Sequence, residues 1–211
     1  LGGKTVIRRV FEQVCRQLDE TYVATDDQRI FDHVTEFGGK AIMTSRNHKS
    51  GTDRISEAAD AIHTDADVIV NVQGDEPFIH ASQLQTICRL FDDEQTQIGT
   101  LGKPFATMEE AENPNSPKIV CNLKGHALYF SRSVIPYVRG CDRTAWLSEF
   151  TFLKHIGIYA YRRSTLSEIT RLPQSPLEKA ESLEQLRWLQ NGYHISVGLT
   201  DTETIGIDTP A

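Results

Sequence analysis

The apolar positions along the chain follow two periods. In residues 4–18, Val6, Ile7, Val10, Phe11, Val14 and Leu18 recur at helical spacing, with Arg8, Arg9, Glu12 and Arg16 between them; that spacing predicts an amphipathic helix. TYVAT (residues 21–25) reads as a short strand, residues 28–36 as a helix capped by Asp27 and ended by Gly38-Gly39, and residues 40–44 as another short strand. A helix over residues 52–62, with Thr52 as candidate cap and Arg54 in the first turn, follows the polar loop SRNHKSG (residues 45–51). Val68, Ile69, Val70 and Val72 then form an apolar run without alternation, the pattern of a strand buried on both faces of a parallel sheet. Strand and helix alternate throughout this half. The pattern predicts an α/β fold, a mostly parallel open sheet with helices on both faces.

The second half departs from that rhythm. A helix over residues 81–91, a strand at 97–101 and a short helix at 108–112 lead to the turn NPNSP (residues 113–117). Residues 118–122 and 126–131 read as a hairpin joined at Lys124-Gly125, giving the fold a smaller antiparallel section. Residues 133–147 show no period and suit a lid or a subunit contact. LKHIGIYAY (residues 153–161) alternates cleanly, with His155, Gly157, Tyr159 and Tyr161 on one face. That face is either solvent-facing or a wall turned to a ligand. Ser175-Pro176-Leu177-Glu178 has the form of a capped helix start, and the helix is expected to run unbroken to Asn191. Glu184 then falls inside its apolar stripe, where a carboxylate needs a partner: a polar ligand, Arg187 or a backbone amide. A last strand is expected at residues 194–199.

Composition narrows the function classes. The 211 residues suit one domain, and a net charge of −7 argues against a general nucleic-acid or acidic-membrane surface. No apolar run reaches membrane-spanning length, and the four scattered cysteines (Cys15, Cys88, Cys121, Cys141) read as reduced thiols of a cytoplasmic protein. The opening Leu1-Gly2-Gly3-Lys4 and the closing Asp208-Thr209-Pro210-Ala211, a helix cap and first turn, suggest a piece of a longer chain.

The chemistry gathers past the central run. Gln73, Gly74, Asp75, Glu76 and Pro77 place two carboxylates beyond the carboxyl end of a strand, where ligands bind in open α/β sheets. Ile205-Gly206-Ile207-Asp208 sets another acid after a glycine-containing apolar segment. The stretches HKSGTDR (48–54), VIVNVQGDEP (68–77), ALYFSRSVIP (127–136), FLKHIGIYAYR (152–162), PLEKAESLEQLR (176–187) and GIDTP (206–210) occur in one order over most of the chain. In these the chain resembles the 3-deoxy-manno-octulosonate cytidylyltransferases, the CMP-Kdo synthetases.

The resemblance implies a nucleotide-diphospho-sugar transferase fold and the activation of the acid sugar Kdo by CTP, with pyrophosphate released, for lipopolysaccharide synthesis. It implies that Asp75 and Asp208 hold Mg²⁺, that Arg54 with Gln73, His155, Tyr159, Glu184 and Gln185 lines the sugar site, and that His48, Ser50 and Gly51 face the cytidine. Two acids at neighbouring strand ends serve a triphosphate through a shared divalent cation, and a carboxylated sugar calls for a guanidinium. A homodimer is implied as well. The family's opening strand and basic phosphate-gripping loop have no counterpart here, so residues 1–211 are expected to be one domain lacking that strand and a C-terminal helix, and inactive alone. The alternatives are a nucleotidyltransferase for another acid sugar and a non-catalytic nucleotide-binding module; retention of both Asp75 and Asp208 speaks against the latter.

Overall fold

The computed structural model describes residues 3–202, so Asp208 and the GIDTP stretch lie outside the described residues. The first half contains α1 (Val6–Val14), β1 (Val23–Thr25), α2 (Gln28–Glu36), β2 (Ala41–Met43), α3 (Gly51–Ala61), β3 (Val68–Asn71) and α4 (Ala81–Arg89). The second half contains β4 (Ile98–Pro104), α5 (Met108–Glu112), β5 (Lys118–Cys121), β6 (Ala127–Ser131), α6 (Trp146–Glu149), β7 (Leu153–Arg162), α7 (Arg163–Ile169), α8 (Pro176–Glu181), α9 (Gln185–Gln190) and β8 (Ile195–Leu199). Local chemistry sets several boundaries as the sequence indicates. Asp27 accepts the Arg29 amide at 2.8 Å to cap α2, and Gly38, with φ of 82°, turns the chain out of it. Ser175 and Glu178 close a reciprocal capping box at α8.

The α/β class and the helices on both faces are as expected. The strand directions are more mixed than the sequence pattern predicts. β1 and β2 pair in parallel as a two-stranded sheet, while the six-stranded sheet runs β6-β5-β7-β4-β8 with β3 added on β7. In it only β4–β8 is parallel; β3–β7, β4–β7, β5–β7 and β5–β6 are antiparallel. The reason is β7, whose ten residues pair with three strands, all running against it. The 118–131 hairpin is present, with Gly125 at φ of 79° in its turn.

Two cores lie on opposite faces of this sheet. Tyr159, Tyr161 and Ile98 face a layer of Leu166, Ile169, Leu183, Leu186 and Trp188 from α7 and the α8–α9 region. Ile156, Ile158 and Ala160 face Val10, Val14, Leu84 and Ile87 from α1 and α4. The alternation of β7 therefore sorts its side chains between two apolar layers, and Tyr159 and Tyr161 are buried, not solvent-facing. A satellite core of Phe105, Ala111, Trp146 and Phe152 sits beneath residues 133–147.

Between β1 and β3 the sheet is interrupted by a cavity of about 750 Å³. α1 lines it on one side through Ile7, Val10 and Phe11, and α3 on the other through Ile55, Ala58 and Ile62. Val23 donates to Lys40 O and Thr25 O accepts from Thr44 N, so the backbone groups of Ala24 turn away from β2, into the gap. Asp67 O accepts from Arg163 N, and by alternation Val68 and Val70 turn away from β7 toward the same gap. The central run was expected in a parallel sheet; among the described residues β3 is paired on one edge, antiparallel to β7.

Candidate active site

The described residues singled out in the sequence fall into three groups: the turn after β3, the start of α3, and β7 with the start of α9. The strand ends at Asn71, and the chain turns at Gln73-Gly74-Asp75-Glu76, where the Glu76 amide donates to Gln73 O at 3.3 Å. The turn packs closely on α1: a Cβ at Gly74 would stand 3.3 Å from Ile7 Cδ1 in the first turn of that helix. Glu76 is largely buried beside Asp75 and its Oε2 has no partner. Burial, with the Asp75 charge adding to it, pushes the Glu76 carboxyl up to about 7. An acidic pair with an unpartnered oxygen is a donor set suited to a hard divalent cation. Among the described residues no group of three or more His, Cys, Asp or Glu side chains could enclose a metal, and Asp208 lies outside them.

The loop before α3 supplies the next group. Ser50, not Thr52, caps the helix, accepting the Asp53 amide at 3.2 Å. His48 Nε2 contacts Glu57 Oε2, which also accepts the Ser45 amide at 2.9 Å, so the loop is closed onto the helix that follows it. Arg54 reaches back to the ends of the parallel pair, donating to Thr44 Oγ1 at 2.7 Å and pairing with Asp26 at 3.3 Å. Gly51, Arg54 and Gln73 share the lining of the cavity beside β3; His155, Tyr159, Glu184 and Gln185 do not line it.

The third group lies on β7 and at the start of α9. Thr100 Oγ1 donates to Ile158 O at 2.8 Å and lies 3.1 Å from His155 Nε2, which must then be the donor between them. Burial pushes the His155 imidazole down to about 4, so it is neutral near pH 7, with Nδ1 left as an acceptor. Its ring stands 5.2 Å from Phe130 and 5.3 Å from Tyr159. Tyr159 stacks on Tyr161 at 6.0 Å, and both meet the edge of Trp188. Burial raises both phenols well above their ordinary value. The buried hydroxyls of Tyr159 and Tyr161, Gln185 Nε2 and Trp188 Nε1 all lack partners.

Glu184 is where the helix expectation fails and the reason becomes visible. The helix from Pro176 does not run to Asn191; it breaks at Ser182, whose φ of 52° is left-handed, and restarts at Gln185. Glu184 stands at that break, not inside a continuous apolar stripe. Its Oε2 accepts from Thr52 Oγ1 at 2.8 Å, and its Oε1 lies 3.6 Å from Arg187 Nη2. Burial raises its carboxyl, with the Thr52 and Ser50 hydroxyls and Arg187 pulling the other way. Arg187 is committed mainly to Glu178, by bonds of 2.8 and 2.6 Å. Sequence reasoning missed Thr52, Tyr161 and Trp188 as parts of this cluster. Thr52 has the sequence signature of a cap, which Ser50 takes instead; Tyr161 has a signal in the β7 alternation, which groups it with His155 and Tyr159.

Carboxylates past a strand end, a closed loop before α3 and a buried polar wall on β7 place polar groups where α/β sheets bind ligands, and the family match makes the class that of the nucleotidyltransferases. The cytidylyltransferase family model matches residues 1–197, and the chain belongs to that family. Its curated relatives include the 3-deoxy-manno-octulosonate cytidylyltransferase of Bacteroides thetaiotaomicron, 62% identical over 100% of this chain and 85% of the relative. That of Parabacteroides distasonis is 60% identical with the same coverage. A solved CMP:2-keto-3-deoxy-manno-octonic acid synthetase, complexed with CTP, superposes with a TM-score of 0.89 at 42% identity, over 99% of this chain and 84% of that one.

Proposed function

We propose that this chain transfers CMP from CTP to the carboxylated sugar Kdo, giving CMP-Kdo and pyrophosphate for lipopolysaccharide synthesis in the cytoplasm. The observation that carries the reading is the likeness to the cytidylyltransferase relatives over the whole chain, together with the Thr52–Glu184 bond that ties the start of α3 to the polar wall of β7 and α9. In the reaction the sugar's anomeric oxygen bonds to the α-phosphorus as the bond to the bridging oxygen breaks. Pyrophosphate leaves with that electron pair and the hydroxyl gives up its proton.

The acidic turn fits Mg²⁺, with Asp75 and Asp208 as its carboxylates. When bound, the ion supplies neutralising charge at the α-phosphate and the departing pyrophosphate. The chain's own residues do the rest by holding and orienting. Arg54, fixed at the β1 and β2 ends, offers its remaining donors to the sugar carboxylate. Neutral His155 accepts a sugar hydroxyl at Nδ1, and Gln73, Tyr159, Glu184 and Gln185 complete the ring of hydrogen-bonding groups. The loop of His48, Ser50 and Gly51 faces the cytidine.

The gap between β1 and β3 supports a single nucleotidyltransferase domain with room for one more strand. At about 4.8 Å between strands, 3.3 Å per residue and 10 Å between layers, a strand residue occupies about 160 Å³, so the cavity suits about five residues. Ile7 of α1 packs at Gly74, the carboxyl end of β3, so a strand leading into α1 would run parallel to β3. For a homodimer the contact is the residue 133–147 face, where Tyr137 is 78% exposed and sets its ring edge-on against Trp146 at 5.1 Å. The four free cysteines, and no described helix long and apolar enough to cross a membrane, suit a cytoplasmic enzyme.

The test is pyrophosphate release by the full-length parent protein against a panel of nucleotides and acid sugars. Release requiring CTP and Kdo together supports the reading. Equal or faster release with another acid sugar would replace Kdo, and CTP binding without release for any sugar would make the chain a nucleotide-binding module.

A further inference from the structure

Thr52 joins two parts of the molecule that are 132 residues apart in sequence. It is the second residue of α3, directly after the Ser50-Gly51 loop, and only 4% exposed. A threonine hydroxyl so placed has one common local use, capping, and that is taken by Ser50. The Thr52 hydroxyl instead crosses to Glu184 Oε2 at 2.8 Å. Besides Thr52, the Ser50 hydroxyl also draws on the Glu184 carboxyl, less strongly. Glu184 stands between α8 and α9, makes no cap bond of its own, and its nearest cation, Arg187, is 3.6 Å away and doubly bonded to Glu178. A carboxylate at a helix break takes its direction mainly from its strongest donor, here Thr52 at 2.8 Å, with Ser50 secondary.

We propose that Thr52 is a positioning residue for the acid sugar: its hydroxyl holds the Glu184 carboxylate toward the sugar hydroxyls and fastens the sugar side of the site to the nucleotide loop. The inference rests on the functional reading above, since it takes Glu184 as a sugar-facing group. Thr52 itself touches no substrate. Its effect is carried by the direction of Glu184, so its loss is felt in sugar affinity before it is felt in CTP affinity or turnover. A hydrogen bond to a charged group contributes about 1.5–3 kcal/mol, which is roughly a 10- to 100-fold change in affinity.

The experiment compares the full-length wild type with Thr52→Val, Thr52→Ala and Thr52→Ser in pyrophosphate release, titrating CTP and Kdo separately, with thermal midpoints measured beside the kinetics. Val and Ala are expected to raise KM for Kdo at least tenfold, to leave KM for CTP within about twofold and to lower kcat less than threefold. Ser, which restores the hydroxyl, is expected to return KM for Kdo to within about threefold of wild type. A Val variant with wild-type KM for Kdo overturns the proposal. So does a parallel rise in both KM values with a fall in kcat that Ser does not rescue, the pattern of a merely structural contact. A wild type that releases no pyrophosphate from CTP and Kdo would instead overturn the functional reading, so the two failures are told apart by the wild-type control.

Discussion

Replacing Arg187 by Met removes one half of a buried ion pair. The side chains of Arg187 and Glu178 are 9% and 8% exposed, the guanidinium grips both carboxylate oxygens at 2.8 and 2.6 Å, and Nη1 reaches Leu172 O at 3.3 Å. Met fills most of the volume but supplies no donor, so Glu178 keeps the Ser175 amide, 3.1 Å from its Oε2, and the Gln174 side chain, neither of them charged. Leaving one charge of a buried pair uncompensated costs about 3–5 kcal/mol. For a chain of this length each kcal/mol moves the thermal midpoint by about 2–4 °C, so a fall of roughly 10 °C is expected. Burial pushes the Glu178 carboxyl up, but the Arg187 and Ser175 bonds outweigh it and hold the net value below the ordinary one. A depressed carboxyl contributes stability that is present above its unfolded pKa and lost as pH falls through its folded one. The gap between wild type and Arg187→Met should therefore be full at pH 7 and close below about pH 4. Circular dichroism melts at pH 7 and at acid pH measure both effects. The double variant Glu178→Leu/Arg187→Met, with no orphaned charge, should recover most of the loss. A single variant melting within about 2 °C of wild type at pH 7 would refute this account of the α8–α9 junction.

Two further outcomes follow from the same structure. The His155 imidazole should stay neutral, with its proton on Nε2, from pH 8 down to about pH 5.5, because burial sets its pKa near 4; nitrogen NMR showing it protonated by pH 6 would contradict the geometry around Thr100. In the full-length protein the strand proposed above would pair with Ala24, Val68 and Val70, so their amides should exchange with solvent at least about a hundredfold more slowly than unprotected amides. Rapid exchange at all three would mean that β1 and β3 are true edges.

The periodicity of the sequence located most elements because each carries its own local signal. Asp27 before α2, Gly38 after it and the Ser175–Glu178 box act within one turn, and the β7 alternation correctly put Tyr159 and Tyr161 on one face. What those signals lack is partner identity. Nothing in VIVN distinguishes a strand flanked by parallel neighbours from one paired antiparallel with β7, since burial, not direction, selects valine and isoleucine. The helix break at Ser182 was equally hidden, because Ser182-Leu183-Glu184 contains no glycine or proline to announce a left-handed residue. The motif residues were legible, but their connections were not: that Thr52 serves Glu184 while Ser50 caps α3 depends on a contact 132 residues long. The tyrosines could be read as facing solvent only while the α7–α9 layer that packs on them was unplaced.

The central claim is that the acidic turn after β3 serves CTP-dependent transfer to the acid sugar. The most direct measurement is pyrophosphate release by the full-length protein with CTP, Kdo and Mg²⁺, run beside Asp75→Asn with CTP binding measured in parallel. The account predicts release that requires all three components, and at least a hundredfold loss in Asp75→Asn while the variant remains folded. An Asp75→Asn enzyme that keeps wild-type turnover, or a wild type that turns over equally well without a divalent cation, would contradict it.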